Sequence, residues 1–294
     1  MEGFCFVILH YQTLSDTISC VHSILSNIKS NNYRIVIVDN GSPNKSGINL
    51  KEKFEGDPVV NVILSNKNLG FTSGNNLGIT FAKKTYNPKF IALINNDTLI
   101  EQAGFIDIVE KKFNEHHFDI LGPDIITPEG KHQSPTLNKM TGLTAVERYL
   151  RFYRKILFLN YLGLDKIAEN TKKSFFPVSR LHLENIHQKR EWDKEQENVM
   201  LHGSALIFSS NYIETYNGLY PGPFMYGEEA ILDFIAKRDK LKVIYCPDIR
   251  IKHIDDSATN SVFKRSLRKR RFYIKNFLRS TLVLKDLMKN YPNK

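Results

Sequence analysis

The segment ALINNDT, residues 92 to 98, places a polar cluster directly after an apolar run. The stretch from Phe90 to Ile94 has the composition of a strand that is buried on both faces. In open α/β sheets, ligands bind at the carboxyl edge of such strands, so Asp97 lies where a carboxylate could meet a substrate or a metal. The alternative is that Asn96 and Asp97 cap the next helix, which we predict from Glu101 to Glu115.

Two further polar stretches follow predicted strands. VDNGS ends the second strand at residues 38 to 42, and NLGFTSGNNLG, residues 68 to 78, follows the third. Glycines allow close backbone approach and asparagine amides both donate and accept hydrogen bonds, which suits a nucleoside and its sugar. The alternative is that both stretches are only tight turns and helix caps. The sequence contains neither GxGxxG nor GxxxxGK[ST], which argues against a dehydrogenase-type dinucleotide site and a P-loop.

Alternating strand and helix patterns must position these residues. We predict strands at 4–10, 34–39, 59–64, 90–94, 199–208 and 242–247, with helices between them that include 16–28 and 228–241. Such alternation indicates an α/β fold, with a mostly parallel central sheet flanked by helices. The aromatic and basic segment at 123–198 interrupts the pattern, and we interpret it as an inserted helix and loop within a domain that spans residues 1–263.

Composition describes an ordinary globular protein. The 294 residues are 41% hydrophobic and 24% charged, enough to bury a sizeable core. No stretch reaches the ~18 consecutive apolar residues of a membrane span, and the first residues lack the pattern of a signal peptide, so we expect a cytoplasmic location. Cys5, Cys20 and Cys246 are far apart in apolar segments, which predicts core residues and no zinc site or disulfide framework.

The net charge of +10 is concentrated in the tail at 264–294, which has 11 basic residues and one acid. The whole chain has 41 Lys and Arg residues and 31 Asp and Glu residues, so 30 basic and 30 acidic residues remain outside the tail. The tail predicts a helix with an apolar face (Ile274, Phe277, Leu278, Thr281, Leu284, Met288) and a basic face (Arg268, Arg271, Lys275, Arg279), the pattern of a helix that lies on an anionic membrane. The alternative is that the apolar face packs on the domain at 1–263 or on a second subunit, as in a homodimer.

Six motifs in order resemble the inverting family 2 glycosyltransferases of the GT-A fold, especially bacterial rhamnosyltransferase-like members that build surface polysaccharides. They are VDNGS, NLGFTSGNN, LINNDT, LHGSALIF, FMYGEEAIL and KHIDDSAT. They cover roughly residues 4 to 260, and the segment 123–198 is unmatched. The resemblance implies that the sugar comes from a nucleotide-diphosphate donor, dTDP-rhamnose or a UDP-sugar, and goes to a glycan or lipid-linked acceptor.

The resemblance also implies roles for individual residues. Nucleotide-sugar binding falls on His10, Asp39, Asn40, Gly41, Ser42, Asn68, Gly70, Phe71, Asn75, Asn95, Asn96 and Gly203. The family's Asp-x-Asp motif falls on Asn95, Asn96 and Asp97, so Asp97 would hold Mg2+ or Mn2+ on the diphosphate, with His253 as a second ligand or a donor to phosphate. A hard cation bound by oxygen ligands suits the developing diphosphate charge better than zinc.

Glu228 and Glu229 match the family's acidic pair at a helix start, and Glu229 takes the position of the general base. Because neighbouring helical residues point about 100° apart, the two carboxylates are expected to do different jobs. The alternative is that both only complement the positive end of the helix.

Two other function classes fit less well. A sugar-1-phosphate nucleotidyltransferase needs a glycine-rich, basic triphosphate loop after its first strand, whereas LHYQTLSD, residues 9 to 16, has no glycine, Lys or Arg. A nucleic-acid-binding protein is suggested by the basic tail alone, while the rest of the chain is neutral and contains no such module. We therefore expect no nucleic-acid partner and a peripheral location at the inner face of the cell membrane.

Overall fold

The computed structural model describes residues 3–137, 140–164, 191–254 and 266–291. The strands are β1 (Phe4–His10), β2 (Tyr33–Asp39), β3 (Val60–Leu64), β4 (Phe90–Asn95), β5 (Thr98–Leu99), β6 (Ile120–Ile126), β7 (Gln196–Glu197), β8 (Ala205–Ser209) and β9 (Val243–His253). The helices are α1 (Leu14–Asn27), α2 (Ser46–Lys53), α3 (Phe71–Tyr86), α4 (Phe105–His116), α5 (Leu143–Tyr161), α6 (Ser210–Thr215), α7 (Glu228–Asp239) and α8 (Ser266–Asn290).

All the strands join one sheet in the order β3-β2-β1-β4-β8-β6-β9-β5, with β7 paired to β9. The strands β1 to β4 are mutually parallel, as predicted, because α1, α2 and α3 supply the crossovers that parallel pairs need. Beyond β4 the sheet is mixed: β8 runs antiparallel to both β4 and β6, whereas β6 and β9 are parallel. The continuous parallel part of the sheet is therefore β1 to β4, and the expectation of a mostly parallel sheet holds for this half.

Helices cover both faces of the sheet. Along β1, Phe6 and Ile8 pack into one core while Cys5 and Val7 pack into the other, because successive side chains of a strand point to opposite faces. This double burial explains why the strands read as continuous apolar runs. The three cysteines are buried and free, as predicted.

Several element boundaries differ from the prediction. The segment 123–198 begins inside β6, which the sequence pattern missed because Gly122 and Pro123 interrupt the β-branched run. Residues 199–204 precede β8 and are not part of it. Helix α4 starts at Phe105, and no side chain caps it. Asn96 and Asp97 are therefore not its caps, and the alternative reading of the NND cluster is wrong.

Helix α8 packs its apolar face inside the protein. Leu284 and Leu287 join a core cluster with residues of α5 and α7, and Ile274 joins a second cluster with Tyr153 and Ile156 of α5. Of the two predictions for this helix, packing on the catalytic domain is confirmed, so its apolar face is not available to a membrane. Among the described residues, every helix is too short or too polar to span a lipid bilayer.

Candidate active site

Polar residues of several strands meet at the carboxyl edge of the parallel half. His10 is paired in register with Asp39, and Leu9 with Asn95. Because β1, β2 and β4 are parallel, the segments that follow them lie side by side. The fold thus brings the predicted VDNGS and NND stretches to one edge.

His10 is completely buried beneath this edge. Its Nδ1 lies 2.7 Å from Thr17 Oγ1 of α1, and its Nε2 lies 2.7 Å from Ser46 Oγ of α2. Burial lowers the pKa of His10 to about 4, against an opposing effect of Asp39, so the ring is neutral at pH 7 and the 3.9 Å approach to Asp39 Oδ1 is not an ion pair. Both ring nitrogens are thus bonded to Thr17 and Ser46 inside the protein, which differs from the predicted contact of His10 with the donor.

Asp39 is held by backbone on two sides. Its carboxylate oxygens accept the N–H of Ser42 at 3.3 and 3.4 Å. Helix α2 approaches so closely that a β-carbon on Gly47 would lie 2.2 Å from Asp39 Cγ. Gly41 has a φ of +70°, and a β-carbon there would lie 2.5 Å from the carbonyl carbon of Lys67. The Ser42 and Gly47 contacts fix the carboxylate, and the Gly41 contact holds the turn that follows it against the loop after β3.

Asn40 clamps the loop after β3. Its Nδ2 donates to Asn68 Oδ1 and to the Gly70 carbonyl, both at 3.1 Å, while its Oδ1 accepts the N–H of Leu69 at 2.8 Å. Asn68 Oδ1 also accepts the N–H of Gly70 at 2.8 Å. Predicted as nucleotide-sugar ligands, Asn40 and Asn68 use these side-chain atoms to shape the loop that would receive the nucleotide.

The loop at 221–227 lies across the start of α3. The N–H of Phe71 donates to the Phe224 carbonyl at 2.6 Å, and a β-carbon on Gly70, which has a φ of +81°, would lie 2.3 Å from that same oxygen. Asn75 turns its Nδ2 to the Phe71 carbonyl at 3.0 Å. The NLGFTSGNN motif is thereby attached to the segment that leads into α7, which begins with the acidic pair.

The last two residues of the NND cluster, Asn96 and Asp97, differ in their hydrogen bonding. Asn96 donates its Nδ2 to Thr13 Oγ1 at 2.7 Å and to Thr17 Oγ1 at 2.9 Å, so it holds the start of α1. Asp97 is only 8% exposed, and its Oδ1 is buried without a hydrogen-bond partner in the described structure. A buried, unsatisfied carboxylate oxygen at a ligand edge is the feature expected of an absent ligand.

His253, the last residue of β9, faces that oxygen. Its Nε2 lies 3.2 Å from Asp97 Oδ1, and its Nδ1 lies 2.7 Å from Gln133 Oε1. Because an amide oxygen can only accept, Nδ1 carries a proton, and in the neutral form of the ring Nε2 would direct its lone pair toward the carboxylate. Two lone pairs that face one another are the arrangement of two ligands around one cation.

The residues present fit a divalent cation that arrives with a diphosphate. The described residues contain no group of three or more His, Cys, Asp or Glu that could bind a metal, and Asp97 and His253 are the two possible ligands that this part of the chain places together; Asp255 and Asp256 lie outside the described residues. Mg2+ takes one or two protein ligands and completes its shell with waters and substrate phosphates. Asn95, an amide at the first position of the motif, keeps the charge of this pair low.

Gln133 and His202 belong to this neighbourhood and were missed. Gln133 lies in the unmatched segment, where no motif marks it. The His202 ring centre is 5.9 Å from that of His253, and its Nδ1 accepts the N–H of Ser204 at 3.2 Å, so its neutral form carries the proton on Nε2. The signal for His202 was its position directly before Gly203, which the resemblance had selected.

Glu228 and Glu229 begin α7 after Gly227, whose φ is +83°. Burial raises the pKa of both carboxyls, and the charge of Glu229 raises that of Glu228 further. Backbone N–H groups, including those of Gly203 and Gly227, partly offset the rise for Glu229. Glu228 Oε2 is buried without a hydrogen-bond partner. Burial therefore disfavours the charged form of both carboxyls, and more strongly that of Glu228 than that of Glu229.

The segment 202–204 joins the acidic pair to the NND cluster by direct contacts. A β-carbon on Gly203 would lie 2.9 Å from Glu229 Oε1, and the Ser204 carbonyl accepts the N–H of Asn95 at 2.9 Å. Thus Glu229, His202 and the Asp97–His253 pair share one edge of the sheet.

Known proteins share this architecture. The family model for glycosyl transferase family 2 matches residues 5–175, more than half of the chain. Two crystal structures of S. aureus TarS 1-349, one of them in complex with UDP, each match with a TM-score of 0.54 and 11% identity, over 97% of this chain and 66% of that chain. The chain therefore spans slightly less than two thirds of those structures, and at this identity the likeness concerns the fold. No curated protein sequence matches the chain. The chain belongs to glycosyl transferase family 2, and its α/β sheet with flanking helices is the GT-A fold of a glycosyltransferase.

Proposed function

We propose that the protein transfers a sugar from a nucleotide-diphosphate donor to an acceptor hydroxyl with inversion at the anomeric carbon. The observation that carries this proposal is the contact between Glu229 and Gly203, next to His202 and the Asp97–His253 pair. An ionised carboxylate beside a site for a charged leaving group is what a single displacement requires.

Each residue of the site then has a task. Asp39 and the loop at 68–71 receive the nucleoside, and the diphosphate lies over Asp97. Asp97 Oδ1 and His253 Nε2 would hold a divalent cation, which supplies positive charge against the negative charge that develops on the leaving nucleoside diphosphate.

Glu229 acts as the general base. It removes the proton of the acceptor hydroxyl while that oxygen bonds to the anomeric carbon, opposite the breaking bond to the diphosphate oxygen. Glu228 remains protonated in this step. Since two buried carboxylates side by side do not both ionise readily, a proton on Glu228 keeps the charge on Glu229.

For the donor we propose a UDP-sugar first and dTDP-rhamnose second. A TarS structure holds UDP, which supports uridine, whereas rhamnose rests on the resemblance of the motifs to rhamnosyltransferase-like enzymes. The two nucleosides differ by a 2′-hydroxyl and a methyl group, so Asp39 itself does not distinguish them. For the acceptor we propose a glycan or lipid-linked sugar of surface polysaccharide synthesis, met by a peripheral enzyme at the inner face of the membrane.

Thermal unfolding with a panel of nucleotides tests the proposal. UDP or dTDP with Mn2+ should stabilise the wild type, and a ligand at 100 times its Kd adds about 2.7 kcal/mol. The Asp97→Ala variant should lose the part of this stabilisation that depends on Mn2+. The Asp107→Ala variant, which removes an exposed carboxylate of α4, should keep it. Retention of the Mn2+ effect by Asp97→Ala would refute the metal assignment. Failure of every nucleotide diphosphate and nucleotide sugar to stabilise the wild type would refute the donor class.

A further inference from the structure

The end of α5 and the start of α8 expose a group of large apolar side chains, which we name the apolar tip. Its members are Phe158, Tyr161, Leu162, Leu164 and Leu267, with exposed fractions of 63, 54, 55, 42 and 40%. The two helix ends are in contact, because Asn160 Nδ2 donates to the Leu267 carbonyl at 3.4 Å. Other side chains, such as Tyr153 and Ile274, fill the interface between the helices. Among the described residues, the packing of α5 against α8 therefore does not bury the apolar tip.

Basic side chains lie directly against the apolar tip. The Arg271 guanidinium carbon is 4.2 Å from the centre of the Tyr161 ring, and Lys275 Nζ is 5.5 Å from it. Arg271 Nε also donates to Asn160 Oδ1 at 2.8 Å, which holds the guanidinium in place. The aromatic ring thus sits under two cations at the edge of the apolar surface.

The same two helices contain a long stretch without acids. From Arg148 to Leu164, α5 and its end contain four basic residues and no acid, and α8 contains seven basic residues before Asp286. One exposed stripe of α5, at spacings of three and four residues, changes from basic to apolar along the helix: Arg148, Arg151, Lys155, Phe158 and Leu162. A basic surface therefore leads continuously into the apolar tip.

We propose that the apolar tip inserts into an anionic membrane surface while the surrounding basic residues contact the lipid headgroups. Apolar side chains ringed by cations match the boundary between acyl chains and acidic headgroups. A nucleic acid would match the cations but leave the apolar tip in water. The contact differs from the one that the sequence predicts, because the apolar face of α8 is buried and the inserting residues come mainly from α5.

This surface is connected to the reaction site through α8. Tyr226, two residues before Glu228, stacks on Phe277 with ring centres 5.3 Å apart. A membrane-bound tip would therefore hold the base side of the site near the surface that presents a lipid-linked acceptor. The reason for docking rests on the proposed function, but its test measures binding without turnover, so failure of one does not imply failure of the other.

Vesicle co-sedimentation of the full chain tests the inference. We expect binding to mixed phosphatidylglycerol and phosphatidylcholine vesicles, and weak binding to phosphatidylcholine alone. Phe158→Ser/Leu162→Ser should lower the partition coefficient at least about tenfold, because it removes the inserted side chains. The matched control, Leu143→Ser/Leu282→Ser, changes exposed apolar residues of the same two helices and should bind like the wild type.

A charge-reversal variant tests the contact of the basic residues with the lipid headgroups. Lys155→Glu/Lys275→Glu should abolish the preference for phosphatidylglycerol, whereas Lys51→Glu/Lys53→Glu on exposed positions of α2 should leave it unchanged. Equal binding by the tip variant and its control, or no binding by the wild type, would overturn the inference. It would also be overturned if Phe158→Ser/Leu162→Ser converted a dimer into a monomer, since a second copy would then cover the tip. A fall in unfolding temperature well beyond that of the control would show instead that the chain itself covers it.

Discussion

The two halves of the ligand edge satisfy their buried polar groups differently. On the nucleotide side, both nitrogens of His10 and both polar atoms of the Asn40 amide bond to the protein. On the reaction side, Asp97 Oδ1 and Glu228 Oε2 are buried without hydrogen-bond partners. Native proteins rarely leave such groups unmatched unless a ligand or a chemical step uses them. The difference fits the proposed function, in which a rigid nucleoside site lies beside a reaction site that its ligands complete.

Backbone hydrogen bonds connect the two halves, together with one from the Thr72 hydroxyl to the Pro223 carbonyl at 2.6 Å. The Phe71–Phe224 hydrogen bond and the Asn95–Ser204 hydrogen bond attach the nucleotide side to the segments that carry the acidic pair and His202. Under the proposed function, these links hold the general base at a fixed distance from the donor, while the side chains of the reaction side can still bind ligands. Each of the following changes breaks one side of this comparison.

The largest effect is expected from the base. Glu229→Gln removes the ionised carboxylate but keeps the shape, so the turnover rate should fall by about 10²- to 10⁴-fold while donor affinity stays near wild type. Steady-state kinetics together with nucleotide binding measure both quantities. Glu228→Gln, which replaces the protonated partner, is the matched variant and should keep most of the turnover. If Glu228→Gln were inactive and Glu229→Gln active, the two roles would be exchanged.

A smaller effect is expected from Gln133, which bonds to the proposed metal ligand His253. Gln133→Leu removes the acceptor that fixes the His253 tautomer, and loss of such a supporting hydrogen bond typically weakens metal affinity 10- to 100-fold. Mn2+ titration in the presence of UDP, followed by electron paramagnetic resonance, measures this directly. Gln133→Glu still accepts from Nδ1 and should restore the affinity. Equal Mn2+ affinity of the wild type and Gln133→Leu would show that Gln133 has no such role.

The nucleotide side should respond to crowding. A β-carbon at Gly47 would overlap Asp39, so Gly47→Ala should displace that carboxylate and lower both nucleotide affinity and stability, the latter by about 1–3 kcal/mol. Gly104→Ala is the control, since nothing lies within 4 Å of its added carbon and its φ is not in the left-handed region. Calorimetry and thermal unfolding measure the two quantities. Unchanged UDP affinity in Gly47→Ala would show that Asp39 does not bind the nucleotide.

Much of the parallel half could be predicted, because each of its strands is a local apolar run that ends in a polar turn. The prediction of β1 at residues 4–10 has the same bounds as the strand in the structure, whereas β2 begins one residue earlier and β4 ends one residue later than predicted. The reaction side depends on pairing between distant residues, such as Thr98 with His253, which no local pattern contains. Gln133 reaches His253 across 120 positions, so only the fold reveals it. Periodicity likewise identified the apolar face of α8 but not its partner.

The smallest effect concerns stability and pH. The folded-state pKa of Glu228 lies well above its ordinary value of 4.5, because burial and the charge of Glu229 oppose ionisation. Below the unfolded-state pKa the residue is protonated in both states and carries no penalty, but as the pH rises above it the unfolded chain is increasingly favoured. Glu228→Gln should therefore raise the unfolding temperature at pH 7.5 and leave it unchanged at pH 4, with each kcal/mol equivalent to about 2–4 °C. Thermal unfolding of the ligand-free protein at both pH values measures this, with Glu110→Gln, an exposed residue of α4, as the control. An equal gain at both pH values would mean that the substitution acts through packing, and no gain at pH 7.5 would mean that Glu228 bears no ionisation penalty in the folded protein.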